Sequence, residues 1–287
     1  MPKYLLAFLL CFFMFGTIQA QIKAYQFFDQ KGKEISLEQV IKKSGLAQVI
    51  FFGELHDNSL GHWLQLQVLK KLATLDSDLV LAAEFFERDD QLNINEWFEG
   101  KITDKNFEAE AKLWNNYATD YKPLMTFAKE KNLPFIATNI PRKYASLVSR
   151  NGLQALDSLD SEAKNYLPKL PIGLDTTLPG YAAMKDMMHG APGNSDFMIQ
   201  AQALKDATMA ESLFRVISAG KKILHINGSY HSKDGEGILW YLNEKFPDLK
   251  VLNIHMVIQD QLDSLNEENK KAGQVILVLP TDSHQSY

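Results

Sequence analysis

The stretch IFFGELHDN, residues 50–58, is an apolar run that ends in glycine and is followed, after two further residues, by a histidine. The same order occurs in LHINGSYHSKDG, residues 224–235. Short runs of β-branched and aromatic residues are typical of buried strands, and glycine allows a tight turn where such a strand ends. The two stretches therefore predict two strands that each deliver one histidine, His56 or His231, to the end of a sheet.

Further runs of this kind alternate with segments of helical periodicity along the chain. Strands buried on both faces have continuous apolar runs, and their alternation with helices is typical of parallel sheets. We therefore predict an α/β fold with a mainly parallel sheet flanked by helices. One helix should begin near Asn58, a good N-cap residue, and another near Pro141, whose missing N–H costs least in a first turn. The predicted strands are 48–52, 78–85, 134–138, 222–227, 251–257 and 275–279.

The segment between residues 138 and 222 has no convincing strand pattern and includes two stretches of helical periodicity. It is far longer than an ordinary connection between parallel strands. We predict a smaller all-helical subdomain at about residues 141–219, inserted into an α/β core of residues 21–140 and 220–287.

Residues 1–20 have the pattern of a signal peptide, with Lys3 before an apolar run at 4–15 and a plausible cleavage segment at 16–20. We expect an exported, periplasmic protein. Cys11, the single cysteine, lies inside the apolar run instead of following a small residue at its end, which disfavours a lipoprotein and leaves membrane attachment open. Without Lys3, 29 basic residues stand against 35 acidic ones, and no basic patch indicates a nucleic-acid partner.

Polar side chains follow the predicted strands. Glu54 and His56 follow the first, Glu84 lies in AAEFFERDDQ at the end of the second, and His231 follows a third. The carboxyl ends of parallel strands share one edge, so we expect these side chains to converge. His56, Glu84 and His231 are candidate ligands of a divalent metal ion, with Glu54 as a further ligand or as the partner that orients a histidine. The other interpretations are acid–base catalysis without metal and a purely structural cluster. Arg88, Asn139 and Arg142 are expected at the same edge.

The remaining histidines are weaker candidates. His62 is six residues from His56, which places the two on different faces of a helix. His225 and His255 fall within predicted strands and are expected in the core, and His284 lies in a terminal tail.

Five of the nine methionines fall between residues 184 and 209. In YAAMKDMMHG, residues 181–190, helical spacing places a tyrosine, two methionines and a lysine on one face. Such a face offers a phenolate for ferric haem iron, apolar contacts for the porphyrin and a cation for a propionate. The alternative is that the methionines form helix core and the tyrosine is a surface residue. The candidate haem-binding residues are Tyr181, Met184, Lys185, Met188 and, as a second possible ligand, His189.

Several segments, in this order and at these spacings, resemble the ChaN-like haem-binding uptake proteins of the Tiki superfamily: GELHDN, AAEFFERDDQ, TNIPR, QALKDATMA and NGSYH followed by GEGI. The resemblance covers nearly the whole chain after residue 20. It implies a parallel sheet with a small helical domain, and ferric haem bound through a tyrosine, with paired haems shared by two subunits. We assign that tyrosine to Tyr181, and Tyr144, Tyr166 and Tyr230 remain alternatives.

The resemblance supports two functions. The first is an exported haem-binding protein for haem and iron uptake, with a haem-dependent homodimer and an outer-membrane haem receptor system as partners. The second follows from the Tiki branch of metal-dependent proteases, whose two Gly-x-x-His motifs and glutamate would correspond to His56, His231 and Glu84. In that metal-dependent hydrolase, Glu54 would join these three as a catalytic residue.

Overall fold

The computed structural model describes residues 23–188 and 193–287, which form an α/β fold around one eight-stranded sheet. The predicted signal peptide at residues 1–20 and the candidate ligand His189 lie outside the described residues. The strands are β1 (Gln26–Asp29), β2 (Glu34–Ile35), β3 (Val49–Glu54), β4 (Val80–Glu87), β5 (Phe135–Asn139), β6 (Ile223–Gly228), β7 (Val251–Gln259) and β8 (Val275–Pro280).

The strands are arranged in the order β2-β1-β8-β7-β3-β6-β4-β5. All pairings from β8 to β5 are parallel, while β1 runs antiparallel to β8 and β2. The prediction of a mainly parallel sheet is confirmed, and each of the six predicted strands is present. The short strand β1 and the edge strand β2 were not predicted.

Helices cover both faces of the sheet, and no helix within the described ranges is long and apolar enough to cross a membrane. The described residues form α1 (Leu37–Ser44), α2 (Ser59–Leu75), α3 (Gln91–Phe98), α4 (Asp104–Glu110), α5 (Lys122–Glu130), α6 (Arg142–Asn151), α7 (Ser161–Lys164), α8 (Pro179–Met187), α9 (Ser195–Ser218) and α10 (Ile238–Lys245).

Neighbouring residues of β3 point to opposite faces of the sheet, as in any strand. Ile50 and Phe52 join the larger apolar cluster, to which α2 and α5 contribute. Val49 and Phe51 join a second cluster with α9 and α10. Because both faces are covered, every position of this strand is buried, which explains its uninterrupted apolar run.

Helix α2 begins where the sequence predicts. The side chain of Asn58 is the N-cap and accepts a hydrogen bond of 2.9 Å from the backbone N–H of Gly61. A Cβ atom at Gly61 would lie 2.6 Å from the sulfur of Met256 in β7. The missing side chain therefore lets the first turn of α2 lie directly against the sheet.

The long insertion is helical, as expected, and comprises α6 to α9 with no strand between β5 and β6 in the described residues. The second half of α9 packs on the sheet, where Met209 and Leu213 contact the cluster that contains β3. The division into an α/β core and a helical subdomain at residues 140 and 220 stays a prediction.

Candidate functional site

The candidate site lies at the carboxyl ends of three adjacent strands, β3, β6 and β4. Glu54 ends β3 and is in register with Gly228 at the end of β6. The regular backbone pairing of β4 with β6 ends at Ala83. At the next residue, Glu84, the side chain instead of the backbone bonds to β6. Its Oε2 accepts a hydrogen bond of 2.7 Å from the backbone N–H of Gly228. Because the backbone pairing of β4 with β6 ends here, the side chain of Glu84 lies in the site.

Gly228 allows His56 to approach this point. A Cβ atom at Gly228 would lie 2.6 Å from Nε2 of His56 and 3.4 Å from Oε2 of Glu84. Its φ of −56° is open to any residue, so the glycine is required here by space and not by backbone conformation.

His231 lies in the short 3-10 helix after β6 and is held between two carboxylates. Its Nδ1 is 2.5 Å from Oδ1 of Asp206, and its Nε2 is 3.1 Å from Oε1 of Glu84. Burial alone would lower the pKa of His231, but the charges of Glu84 and Asp206 outweigh it and raise the pKa to about 10. Burial would likewise raise the pKa of Glu84, but the charge and hydrogen bond of His231 hold it below its usual range. His231 is therefore an imidazolium that donates from both nitrogens.

Asp206 connects this pair to helix α8. Its second oxygen, Oδ2, accepts a hydrogen bond of 2.7 Å from the hydroxyl of Tyr181. Burial raises the pKa of Asp206, and the charge of His231 offsets this only in part. Burial and the charge of Asp206 also raise the pKa of Tyr181 well above its usual value. The phenol of Tyr181 is therefore a protonated donor, and only 5% of the residue is exposed.

Glu54 is the centre of a second buried group. It accepts hydrogen bonds of 2.6 Å from the hydroxyl of Tyr121, 2.6 Å from the amide of Gln65 and 2.9 Å from Nδ1 of His56. Burial alone would raise the pKa of Glu54, but the charge of His62 and the hydrogen bonds from His56 and His62 lower it to about 2. Glu54 is a carboxylate at neutral pH.

His62 continues this group on α2. Its Nδ1 is 2.9 Å from Oδ2 of Asp120, and its Nε2 is 3.6 Å from Oε2 of Glu54. Burial would lower the pKa of His62, but the two carboxylates raise it to about 9. Asp120 also accepts hydrogen bonds from Asn116, at 2.8 Å, and from Ser286 in the carboxyl-terminal segment.

His56 is the most accessible imidazole of the site, with 39% of its side chain exposed. Its ring packs edge-on against Trp114, with the ring centroids 4.8 Å apart. Burial lowers the pKa of His56, but the hydrogen bond to Glu54 and the charge of Glu84 raise it more, so the net shift is upward. Because Glu54 holds Nδ1, Nε2 is the ring nitrogen of His56 that lies beside Gly228.

The four residues predicted at the sheet edge, Glu54, His56, Glu84 and His231, are thus brought together. Among residues 23–188 and 193–287, no group of three or more His, Cys, Asp or Glu side chains is arranged to hold a metal ion. A histidine ligates metal as the neutral imidazole, whereas both nitrogens of His231 donate to carboxylates. Metal binding by His56, Glu84 and His231 stays a prediction, and its ligand set is not formed in this structure.

The predicted haem-binding residues on α8 differ in accessibility. Tyr181 faces the protein, Met184 and Met188 are half-buried, and Lys185 is exposed and pairs with Asp196 at 2.6 Å. Met187 on the same helix, which was not assigned a role, is 65% exposed. The role of these residues in haem binding stays a prediction.

The three alternative tyrosines lie elsewhere. Tyr144 is buried in the apolar cluster around α6, and Tyr166 is partly buried beside it. Tyr230 precedes His231 at the sheet edge and is 58% exposed. It is the accessible member of the predicted set.

Several polar residues of the site were not assigned a role from sequence: Asp206, Asp120, Tyr121 and Gln65. Arg88, which was expected at the edge, is half-buried and donates to the backbone oxygens of Thr208 and Leu167 at 2.9 and 3.0 Å. It ties α9 to the segment that follows α7 and is structural. Asp206 lies in the quoted segment QALKDATMA, and an acidic residue among the alanines of that segment was the available signal.

The model of a protein family described as "Haem-binding uptake, Tiki superfamily, ChaN" matches residues 40–242. The chain belongs to this family. The matched range contains β3 to β6 and α8 to α9, and hence every candidate residue of both sites.

Solved structures show the same fold. A structure of cofacial haem binding to ChaN of Campylobacter jejuni is 18% identical and has a TM-score of 0.66, with 90% of this chain and 97% of that chain covered. A Bacillus cereus protein is 10% identical with a TM-score of 0.53, covering 85% of this chain and 91% of its own.

A chloroplast protein of Arabidopsis thaliana, RETICULATA-RELATED 5, is 22% identical over 221 residues, or 70% of this chain. The chain spans about 30% of the length of that curated relative.

Proposed function

We propose that this protein binds ferric haem as the cargo of a haem and iron uptake system. Membership of the ChaN family, across the residues that form both candidate sites, carries the proposal. The structural likeness to ChaN of Campylobacter jejuni, with its cofacial haem binding, supports the same ligand.

Helix α8 and the start of α9 suit a flat apolar ligand in composition. Met187 is 65% exposed and Met198 is 38% exposed, and thioether side chains adapt to irregular apolar surfaces. The ammonium group of Lys185 is exposed beside them and could pair with a propionate. We propose that this surface contacts the porphyrin.

The iron ligand in this proposal is a tyrosinate, which favours ferric iron. Tyr181 was assigned from sequence, yet its hydroxyl donates to Asp206 in this structure, so it must leave Asp206 and lose its proton before it can bind iron. Tyr230 is exposed and has no bond to Asp206 to break. The two assignments can therefore be distinguished by replacing each tyrosine with phenylalanine.

The proposal includes a second haem. A single tyrosinate leaves the opposite face of the iron open, and stacking of two haems between two copies of the chain would cover both open faces. We accordingly propose a haem-dependent homodimer, export through the signal peptide at residues 1–20, and delivery from or to an outer-membrane haem receptor system.

The test is hemin titration of the purified protein, followed by visible spectroscopy and size-exclusion chromatography. Wild type should bind hemin saturably and dimerise only with hemin. If Tyr181 is the ligand, Tyr181→Phe should lose the tyrosinate spectrum, and if Tyr230 is the ligand, Tyr230→Phe should lose it. Both variants should stay folded, because only a hydroxyl is removed. Tyr144→Phe is the matched control. Absence of saturable hemin binding by wild type contradicts the proposed function, and a wild-type spectrum in Tyr181→Phe rejects that ligand.

A second candidate function is a metal-dependent hydrolase or protease of the Tiki type. The observation that favours it is the geometry of His56, whose Nδ1 is fixed by Glu54 while its side chain is 39% exposed. An imidazole oriented in this way can accept a proton at Nε2 from an attacking water. Glu84 and His231 lie beside it and could stabilise charge that develops there.

This alternative is tested with peptide and ester substrates, assayed with added zinc or manganese and with a chelator. Hydrolysis that is lost in His56→Ala but kept in His225→Ala would support it. Equal rates in wild type and His56→Ala would show that the hydrolysis comes from a contaminant.

A further inference from the structure

Helix α8 is attached to the rest of the protein by few contacts. Its buried apolar side chain, Tyr181, belongs to a small cluster with Ile199 and Ala203 of α9, separate from the clusters around the sheet. At its amino end, the N–H of Gly180 donates to Oε2 of Glu236 at 2.7 Å. The exposed pair between Lys185 and Asp196 adds little, because such pairs are well solvated.

The strongest polar attachment of α8 is the hydrogen bond from Tyr181 to Asp206. Asp206 is 1% exposed, and it divides its two oxygens between Tyr181 and His231. Because Asp206 is buried, breaking its bond to Tyr181 leaves a buried oxygen without that partner, which is unfavourable. One buried carboxylate therefore joins α8 to the imidazolium at the sheet edge.

We propose that Asp206 is a positioning residue shared by the two candidate sites: one oxygen holds α8 through Tyr181, as a latch, and the other holds His231. The part of this inference that concerns haem rests on the proposed function. A ligand that takes the hydroxyl of Tyr181 must first separate it from Asp206, and this removes one of the two hydrogen bonds that hold the carboxylate which positions His231. The latch therefore opposes ligand binding at Tyr181 and couples that binding to the polar site.

The latch predicts the direction in which hemin affinity changes when Asp206 is replaced. Replacing the carboxylate with a neutral amide in Asp206→Asn should weaken the hydrogen bond by about tenfold in its equilibrium constant. If Asp206 only supported the fold, its replacement would weaken ligand binding. If Asp206 is a latch, its replacement strengthens ligand binding.

The experiment measures hemin affinity and amide hydrogen exchange of α8 in wild type, Asp206→Asn and Asp186→Asn. Asp186 is an exposed residue on α8 and is the matched control. We expect about tenfold faster exchange of the α8 amides and about tenfold tighter hemin binding in Asp206→Asn, with no change in Asp186→Asn. Unchanged or weaker hemin affinity in a folded Asp206→Asn overturns the role of the latch in ligand access.

Tyr181→Phe tests the latch from the other side, without hemin and without removing a buried charge. Its α8 amides should exchange faster to a similar extent. Wild-type exchange rates in both Tyr181→Phe and Asp206→Asn overturn the latch itself. If wild type binds no hemin, the proposed function fails, and the exchange rates of the ligand-free proteins alone decide whether the latch exists.

Discussion

Replacing His62 with glutamine tests the buried charges next to the candidate site through the pH dependence of stability. His62 lies between Glu54 and Asp120, and its pKa rises from 6.5 to about 9 in the folded protein. One pKa unit corresponds to about 1.4 kcal/mol, so this pairing stabilises the folded state by about 3 kcal/mol where it is fully present.

The sign follows from the raised pKa. The folded state binds the proton more tightly than the unfolded state, so the stabilisation is fully present below pH 6.5 and is lost as the pH rises through 9. The assay is urea unfolding of wild type and His62→Gln at pH 6, 8 and 9.5. The difference in their free energies of unfolding should shrink by about 3 kcal/mol across this range. His231 is present in both proteins, so its own titration cancels in the difference.

His225→Gln is the control. His225 is fully buried, its ring bonds to Thr138 and Asn227 at 3.0 Å, and burial lowers its pKa to about 4. A lowered histidine pKa affects stability only as the pH falls below 6.5, so this variant should show a constant difference from pH 6.5 upward. A pH-independent difference for His62→Gln would refute the assignment of His62 as a charged, paired residue.

Three substitutions test close contacts of the site and of α2. Gly228→Ala should displace His56 and cost about 1 kcal/mol of unfolding free energy through loss of its hydrogen bond to Glu54. The measurements are the imidazole NMR signal of His56 and the urea midpoint, and an unchanged signal would contradict the contact. Asn58→Ala should cost about 1 kcal/mol of unfolding free energy through loss of the helix cap, and Asn58→Asp should retain most of it. Gly61→Ala should cost about 1 to 3 kcal/mol because of Met256, and Met256→Ala in the same chain should recover part of that loss.

The sheet could be predicted from sequence because its strands are buried on both faces. That environment leaves continuous apolar runs such as 49–52, and burial of β3 at every position is the cause of the signal. Strand β1 has only two apolar residues, Phe27 and Phe28, and β2 has only two residues in all, so neither produces a periodic pattern.

The convergence of His56, Glu84 and His231 could be predicted because parallel strands present their carboxyl ends at one edge. Their partners could not be found in this way. Asp206 comes from the middle of a helix of 24 residues, and which of its faces meets the sheet edge depends on tertiary packing. Asp120 lies in a π-helix between two other helices, for which the sequence has no clear pattern.

Helix α8 shows the same limit. Its spacing predicts that a tyrosine, two methionines and a lysine share one face, but spacing alone cannot say which part of a helix faces the protein. In the structure Tyr181 points inward to Asp206 while Lys185 points to solvent. Residue type and spacing suggest Tyr181 as a ligand, but only the packed structure shows that its hydroxyl already donates to Asp206.

The position of β6 has a consequence for how the chain folds. β3 pairs only with β6 and β7, both of which follow residue 222, while β4 and β5 pair with each other. During synthesis, β3 and β4 are therefore not joined to each other through the sheet until β6 is made and inserts between them. Contacts between such distant segments slow folding, since the loop must close before they form. The polar site, built where β6 meets β3 and β4, can exist only in chains in which β6 has inserted between these two strands, and so its formation reports that step of assembly.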